Sequence, residues 1–363
     1  MSLKLYAVLG WVVIAGGRWC GAEPAGVPSA KWSSQLQASN NYTGVLWDNS
    51  PAEQFYLCPG GSHLYLLTYT SLYKFNATNL FMEKKYETPY VQGEGFLSLA
   101  ETSNCLHLAV YKMPGKVLLL DPTSLLPLAS CKLEIANYIA HLKWSPDNND
   151  LFALGDQGIL ARLKFERGLS VVSKLNLEGR RPMSWDISGG KLYVTFSDIN
   201  SISRFGATHA EPLASLKIIS PSDAPANANS KRSLSLNRIA IDSVRGRVFV
   251  QKVRSPGVSP PNDILLTLNE SSGQIMQQTN IPIGLLRLQI SWDNQYLFFG
   301  QNGKPRIIRA LNLDTLQTSD CIAFDGNDFL ISPFNKVLYL VKYTGSDAQV
   351  SMLRLVPPTA ATR

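Results

Sequence analysis

Long apolar segments are missing from this 363-residue chain: the most continuous run, Leu5 to Ala15, is too short to cross a bilayer as a helix, and no later stretch comes closer. No membrane span is therefore expected. Histidine is scarce too, and the four copies, His63, His107, His141 and His209, are too dispersed for a multi-histidine zinc centre. There is no EF-hand loop for calcium and no Gly-x-Ser-x-Gly elbow for a nucleophile, so no metal, cofactor or catalytic residue is assigned. Lys and Arg outnumber Asp and Glu by 34 to 27, but they form neither a basic stripe interleaved with aromatics nor a basic amphipathic helix. Nucleic acid and membrane surfaces are accordingly not expected partners.

What the chain has is a repeat. In "LNRIAIDSVRGRVFVQKV", beginning at Leu236, two alternating apolar runs flank a polar turn. Taking Val248 as an anchor, equivalents fall at Leu64, Leu106, Leu151, Leu192, Leu297 and Leu338, between 41 and 56 residues apart. Seven residues before each anchor stand Leu57, Leu99, Trp144, Trp185, Ile241, Ile290 and Ile331; directly after it stand Tyr65, His107, Phe152, Tyr193, Phe249, Phe298 and Tyr339. Alternation with a period of two makes these units strands. A single four-stranded sheet of this length cannot cover both its faces, whereas radial stacking of seven does so. The expected fold is all-β, a seven-bladed propeller over residues 40–358, whose last blade lacks a fourth strand; residues 40–47 are expected to supply it beside Val350–Val356.

Residues 1–22 read as a secretory signal peptide, with Lys4 ahead of the apolar run and Cys20-Gly21-Ala22 at a plausible cleavage point; residues 23–39 and 359–363 read as tails. Sequons at Asn41, Asn76 and Asn269 fit a secreted glycoprotein. Asn76 and Asn269 share one turn position in their repeats, assigned also to Asp121 and Asp314, where short polar side chains bond the nearby backbone. Removing the leader leaves Cys58, Cys105, Cys131 and Cys321, which allow three full pairings. Cys58 and Cys105 are placed to meet between blades 1 and 2 as a disulfide bond, with free thiols or another pairing as alternatives.

Two insertions, residues 219–235 and 251–263, lie on the face that also carries the blade-to-blade links. This upper face gathers Lys231, Arg232, Lys252 and Arg254, with Arg181, Lys304 and Arg306 in other blades. At the axial mouth, His141, Lys143, Arg238 and Arg287 suggest an anion-binding site, against the alternative of strand-end residues paired for structural reasons.

Trp144-Ser145-Pro146-Asp147, followed by Leu151-Phe152, and Leu192-Tyr193-Val194 resemble the broad group of secreted or periplasmic propellers with YVTN-like repeats. Asn148 stands where that pattern has Gly, and the Gly-His and Trp-Asp punctuation of the WD type is absent. The resemblance covers roughly residues 54–356. It implies architecture, since propellers of this kind include sugar-lactone hydrolases, oxidoreductase subunits and non-enzymatic binding proteins. The expectation is a secreted scaffold for an extracellular protein or anionic glycan, held at the upper face. The alternative is a hydrolase or lyase at the axial mouth, so whether the chain is an enzyme stays open.

Overall fold

The computed structural model describes residues 33–42, 54–133, 140–177, 181–196, 201–207, 212–217, 235–253, 262–282, 285–301, 306–344 and 347–356. These form seven four-stranded antiparallel sheets, six of them built from strands consecutive in the chain. The innermost strands of blades 1 to 7 are Gln54–Leu57, Phe96–Glu101, Ala140–Trp144, Pro182–Ser188, Ser235–Asp242, Leu285–Ile290 and Asp328–Ile331. First strands touch between blades 2 and 3, 4 and 5, 5 and 6, and 6 and 7, the strand of blade 1 contacts those of blades 2 and 7, and a Lys143–Asp186 ion pair links blades 3 and 4. The chain is a closed seven-bladed propeller. Among the described residues no helix is long and apolar enough to cross a membrane.

An N-terminal strand completes the last blade as expected, but it begins earlier in the chain than residue 40. The N-terminal strand Ser33–Tyr42 pairs with Asp347–Val356, placing Tyr42 opposite Ala348, Asn40 opposite Val350 and Ser33 opposite Val356. Pairing thus includes residues 33–39, assigned to a tail by their weak alternation, while 43–47 lie outside the described residues. Most of this strand is exposed, which is why its side chains carry little periodic signal. Its backbone covers an edge that would otherwise be open to pairing.

Five blades set the first strand against the second through the expected apolar pair: Leu57 with Leu64, Trp144 with Leu151, Ile241 with Val248, Ile290 with Leu297 and Ile331 with Leu338. Two blades depart from the expected register. In blade 2 the partner of Glu101 is Leu108, fully buried, whereas Leu106 sits in the turn and is 61% exposed. His107 therefore does not occupy the packed aromatic column; it lies beside the rings of Phe165 and Trp144 at 5.0 and 6.2 Å. In blade 4 the turn is two residues shorter, closed by Gly189 and Gly190 at positive φ, so Leu192 pairs with Ile187 and Trp185 with Val194. The column after the anchor is otherwise as expected. Tyr65, Phe152, Tyr193, Phe249, Phe298 and Tyr339 are all buried, and the tyrosine hydroxyls bond to Glu101, Glu270 and the Ala77 carbonyl. That satisfaction is what makes a phenol acceptable in a core.

The turns between third and fourth strands recur as well. The side chains of Asn76, Asp121, Asn269 and Asn312 each accept backbone N–H groups two and three residues on. The equivalent in blade 6 is Asn312 rather than Asp314, again a displacement of two.

The expected disulfide bond between Cys58 and Cys105 is not formed: Cys58, Cys105 and Cys131 are free thiols. Cys58 and Cys105 are neighbours, with sulfurs within 4.8 Å, yet each is held by the backbone. Cys58 Sγ accepts a hydrogen bond from His63 N–H at 3.1 Å, the position a serine hydroxyl takes in blades 3 and 6. Cys105 Sγ is hydrogen-bonded by the Gly60 backbone. The side chain of Cys321 lies outside the described residues.

Candidate functional site

The inner strands carry their polar residues to the axis, and the upper mouth concentrates charge. His141 opens the innermost strand of blade 3, opposite Leu154, and Lys143 follows two residues later on the same face. Lys143 Nζ forms an ion pair at 2.6 Å with Asp186 Oδ1 of blade 4 and lies 6.0 Å from the centre of the Trp185 ring. Arg287 of blade 6 spans further: its guanidinium meets Asp328 Oδ2 of blade 7 at 2.6 Å and donates to the Phe55 carbonyl of blade 1 at 3.1 Å. Three consecutive blades, 6, 7 and 1, are thus joined by one side chain.

Arg238 differs. It makes no ion pair or hydrogen bond with any described residue, although Arg287 and Asp328 are close enough to act on it electrostatically. Its side chain reaches the water of the channel, yet the converging blades crowd it on most sides. That loss of solvation and the Arg287 charge hold its pKa below the ordinary guanidinium value, with Asp328 opposing. His141 feels the same environment. Water reaches the imidazole, but surrounding protein displaces most of its solvation, and Arg238 and Lys143 add repulsion, lowering its pKa to about 4. At neutral pH the ring is uncharged and available as a hydrogen-bond donor or acceptor.

This predicts a pH effect with a defined sign. Between the ordinary imidazole value of about 6.5 and about 4, the unfolded chain binds a proton that the folded chain refuses, so acidification through that window lowers stability. In imidazole NMR titrations His141 should titrate near 4, and Arg238→Met should raise that value modestly because burial, the larger cause, remains. Titration near 6.5 in the wild type would contradict the placement.

The other expected binding residues do not assemble into this cluster. Lys252 is buried at 8% exposure within its sheet, opposite Leu236 and Ile264, and is not a surface cation. Arg306 is half-buried and donates to the Gly326 carbonyl, tying blade 6 to the start of blade 7. Arg181 is exposed just ahead of the innermost strand of blade 4. Lys231, Arg232, Arg254 and Lys304 lie outside the described residues. Asp186 and Asp328 belong to the site although the sequence does not single them out. For Asp186 the signal is available only after the register of blade 4 is corrected, when it falls at the level of Lys143; Asp328 stands ten residues before its anchor, as His141 and Arg287 do.

An open recess of about 490 Å³ between blades 2 and 3 is lined in part by His107, Trp144, Arg162, Phe165 and Glu166. It carries an Asp150–Arg162 ion pair at 2.9 Å and lies on the turn side, away from the axial cluster.

No family model matches the sequence, and no curated protein matches it. The fold has a solved counterpart. The β-propeller domain of Myceliophteria thermophila Cps50 (Swd1) is similar over 88% of this chain and 99% of that one, with a TM-score of 0.63 and 8% identity. At that identity the likeness concerns the fold alone.

Proposed function

We propose that the protein is a secreted glycoprotein that binds an anionic partner, an acidic protein segment or an anionic glycan, through the upper mouth of the propeller. The observation that carries this reading is Arg238, a cation crowded by protein, with no ion-pair partner among the described residues and with a second guanidinium acting on it. A guanidinium open to the channel, with no described ion-pair partner and a second cation acting on it, is placed to meet a carboxylate or sulfate entering the mouth. The neutral His141 ring beside it supplies a hydrogen bond without adding repulsion. The insertions, 219–234 and 254–261 once the residues belonging to the strands of blade 5 are set aside, would extend the surface around the mouth, and the sequon turns at Asn76 and Asn269 would leave this face clear.

Surface plasmon resonance against a sulfated glycan and an acidic peptide, at two salt concentrations, tests the proposal. Arg238→Glu should weaken binding tenfold or more while leaving the unfolding midpoint near that of the wild type, because no described partner is lost. Binding that is indifferent both to Arg238→Glu and to removal of 219–234 with 254–261, which spares the flanking strands, would overturn it. Arg287 is the poorer probe, since its loss would strand Asp328 inside the channel.

A further inference from the structure

At the opposite, lower rim, the first-to-second strand turns of blades 1 and 2 bring two thiols and a carboxylate together. The ligand atoms of Cys58, Glu101 and Cys105 all lie within 4.8 Å of one another. Cys58 is fully buried and Glu101 is 3% exposed. Glu101 occupies the position that faces Leu108 in the blade 2 pairing, where other blades place Leu57, Trp144, Ile187, Ile241, Ile290 and Ile331. An acid in an apolar column needs a reason. Its Oε1 accepts the Tyr65 hydroxyl at 3.2 Å, while Oε2 is buried and has no hydrogen-bond partner among the described residues. Burial lifts this carboxyl to about 7, with the Tyr65 hydrogen bond and the charge of Lys74 opposing.

The cysteines are equally out of pattern. Cys58 stands in the turn column of Ser145, Ser291 and Ser332, each of which, like Cys58, donates its backbone N–H across the turn to the carbonyl five residues on. Cys105 stands at the left-handed position, φ 56°, that Gly61, Asn148 and Asn294 fill in their blades. A cysteine there is strained where Gly or Asn is not. Gly60 permits the approach, since a Cβ at that position would lie 2.9 Å from Cys105 Sγ. Three substitutions against the repeat, in two blades, thus converge on one point.

We propose that Cys58 Sγ, Cys105 Sγ and Glu101 Oε2 bind a thiophilic divalent cation of the zinc class, pinning the lower rims of blades 1 and 2 together. Two thiolates and a carboxylate are a donor set such cations accept, and ligand sulfurs about 3.8 Å apart suit tetrahedral zinc at Zn–S distances of about 2.3 Å. Binding releases the two thiol protons. The fourth position falls to water or to the Ser62 hydroxyl, whose oxygen lies 3.5 Å from Cys58 Sγ. The cation would supply the counter-charge that Glu101 lacks, and because it binds only the folded arrangement it would stabilise the chain.

The repeat supplies fold-preserving test variants: Cys58→Ser and Cys105→Asn each install the residue another blade uses at that place. Reduced, full-length protein titrated with cobalt(II) should develop a thiolate-to-cobalt charge-transfer band at one equivalent, and zinc should bleach it. Cys105→Asn should weaken cobalt binding at least tenfold and diminish the band, and Glu101→Gln should weaken binding while retaining it. Zinc should raise the unfolding midpoint of the wild type but not of Cys105→Asn. No thiolate band in folded wild type, an unchanged band in Cys105→Asn, or a mass showing the two sulfurs bonded to each other would overturn the proposal. So would Glu101→Leu, if it restored the apolar column with cobalt affinity intact.

Discussion

A chain lacking residues 1–42 is expected to lose its compact fold, eluting as aggregate or unfolded protein and succumbing to limited proteolysis where the full chain resists. The N-terminal strand is the only described partner of the outer edge of Asp347–Val356, and it also reaches across to blade 1. There Tyr42 donates to the Leu80 carbonyl, Asn40 donates to the same oxygen at 3.0 Å, and the Tyr42 and Phe75 rings are 4.8 Å apart. Deletion removes these links and leaves a long unpaired edge. A ring has no free end at which damage can stay local, so the loss is comparable with the whole stability of a folded domain, about 5–15 kcal/mol. Tyr42→Ala, which spares the backbone ladder, should cost only about 2–3 kcal/mol. An unaltered denaturation midpoint in the truncated chain would show that the seventh blade closes without it.

Phe329→Ala should be the most damaging single core substitution at the junction of blades 6 and 7, at about 3–5 kcal/mol by denaturant unfolding. Phe329 is fully buried, meets Phe324 edge-on at 6.1 Å, and packs against the bare backbone of Gly300. A Cβ at residue 300 would lie 2.2 Å from Phe329 Cε1, so Gly300→Ala alone should cost about 1–3 kcal/mol by overpacking. The pair provides a sharper measurement than either change. With Phe329 already truncated, the methyl group introduced by Gly300→Ala enters the vacated space, and that second change should then cost close to nothing. Simple additivity of the two changes would mean that the ring and the glycine are not in contact.

The errors of register share a physical origin. Side chains on a strand alternate with a period of two, so a slip of one residue exchanges buried and exposed faces and is easily seen. A slip of two leaves every face as it was. Leu106 and Leu108 are therefore indistinguishable as anchors until the Glu101–Leu108 pairing is seen, and the shorter turn at Gly189-Gly190 hides the same displacement in blade 4. The consequence reaches the functional clusters. With Leu106 as anchor, Glu101 falls outside the apolar column, and with Trp185 set opposite Leu192, Asp186 falls among the turn residues. With the observed pairing, Glu101 is the one acid in its column and Asp186 is level with Lys143 in the next blade.

By itself the amino-acid order determined the blade count, the burial of the aromatic column, the need for an N-terminal strand in the last blade and the nearness of Cys58 to Cys105. All of these follow from local alternation repeated at a near-constant interval, and repetition of that kind requires no knowledge of contacts. Only the tertiary structure decided how charge is shared around the axis: Lys143 with Asp186, Arg287 with Asp328 and the Phe55 carbonyl, Arg238 with no described ion-pair partner. It also decided that the two cysteines stand beside Glu101 as thiols. These groups are up to 232 residues apart in the chain, and the curvature of a closed ring, which no single blade encodes, brings them within reach.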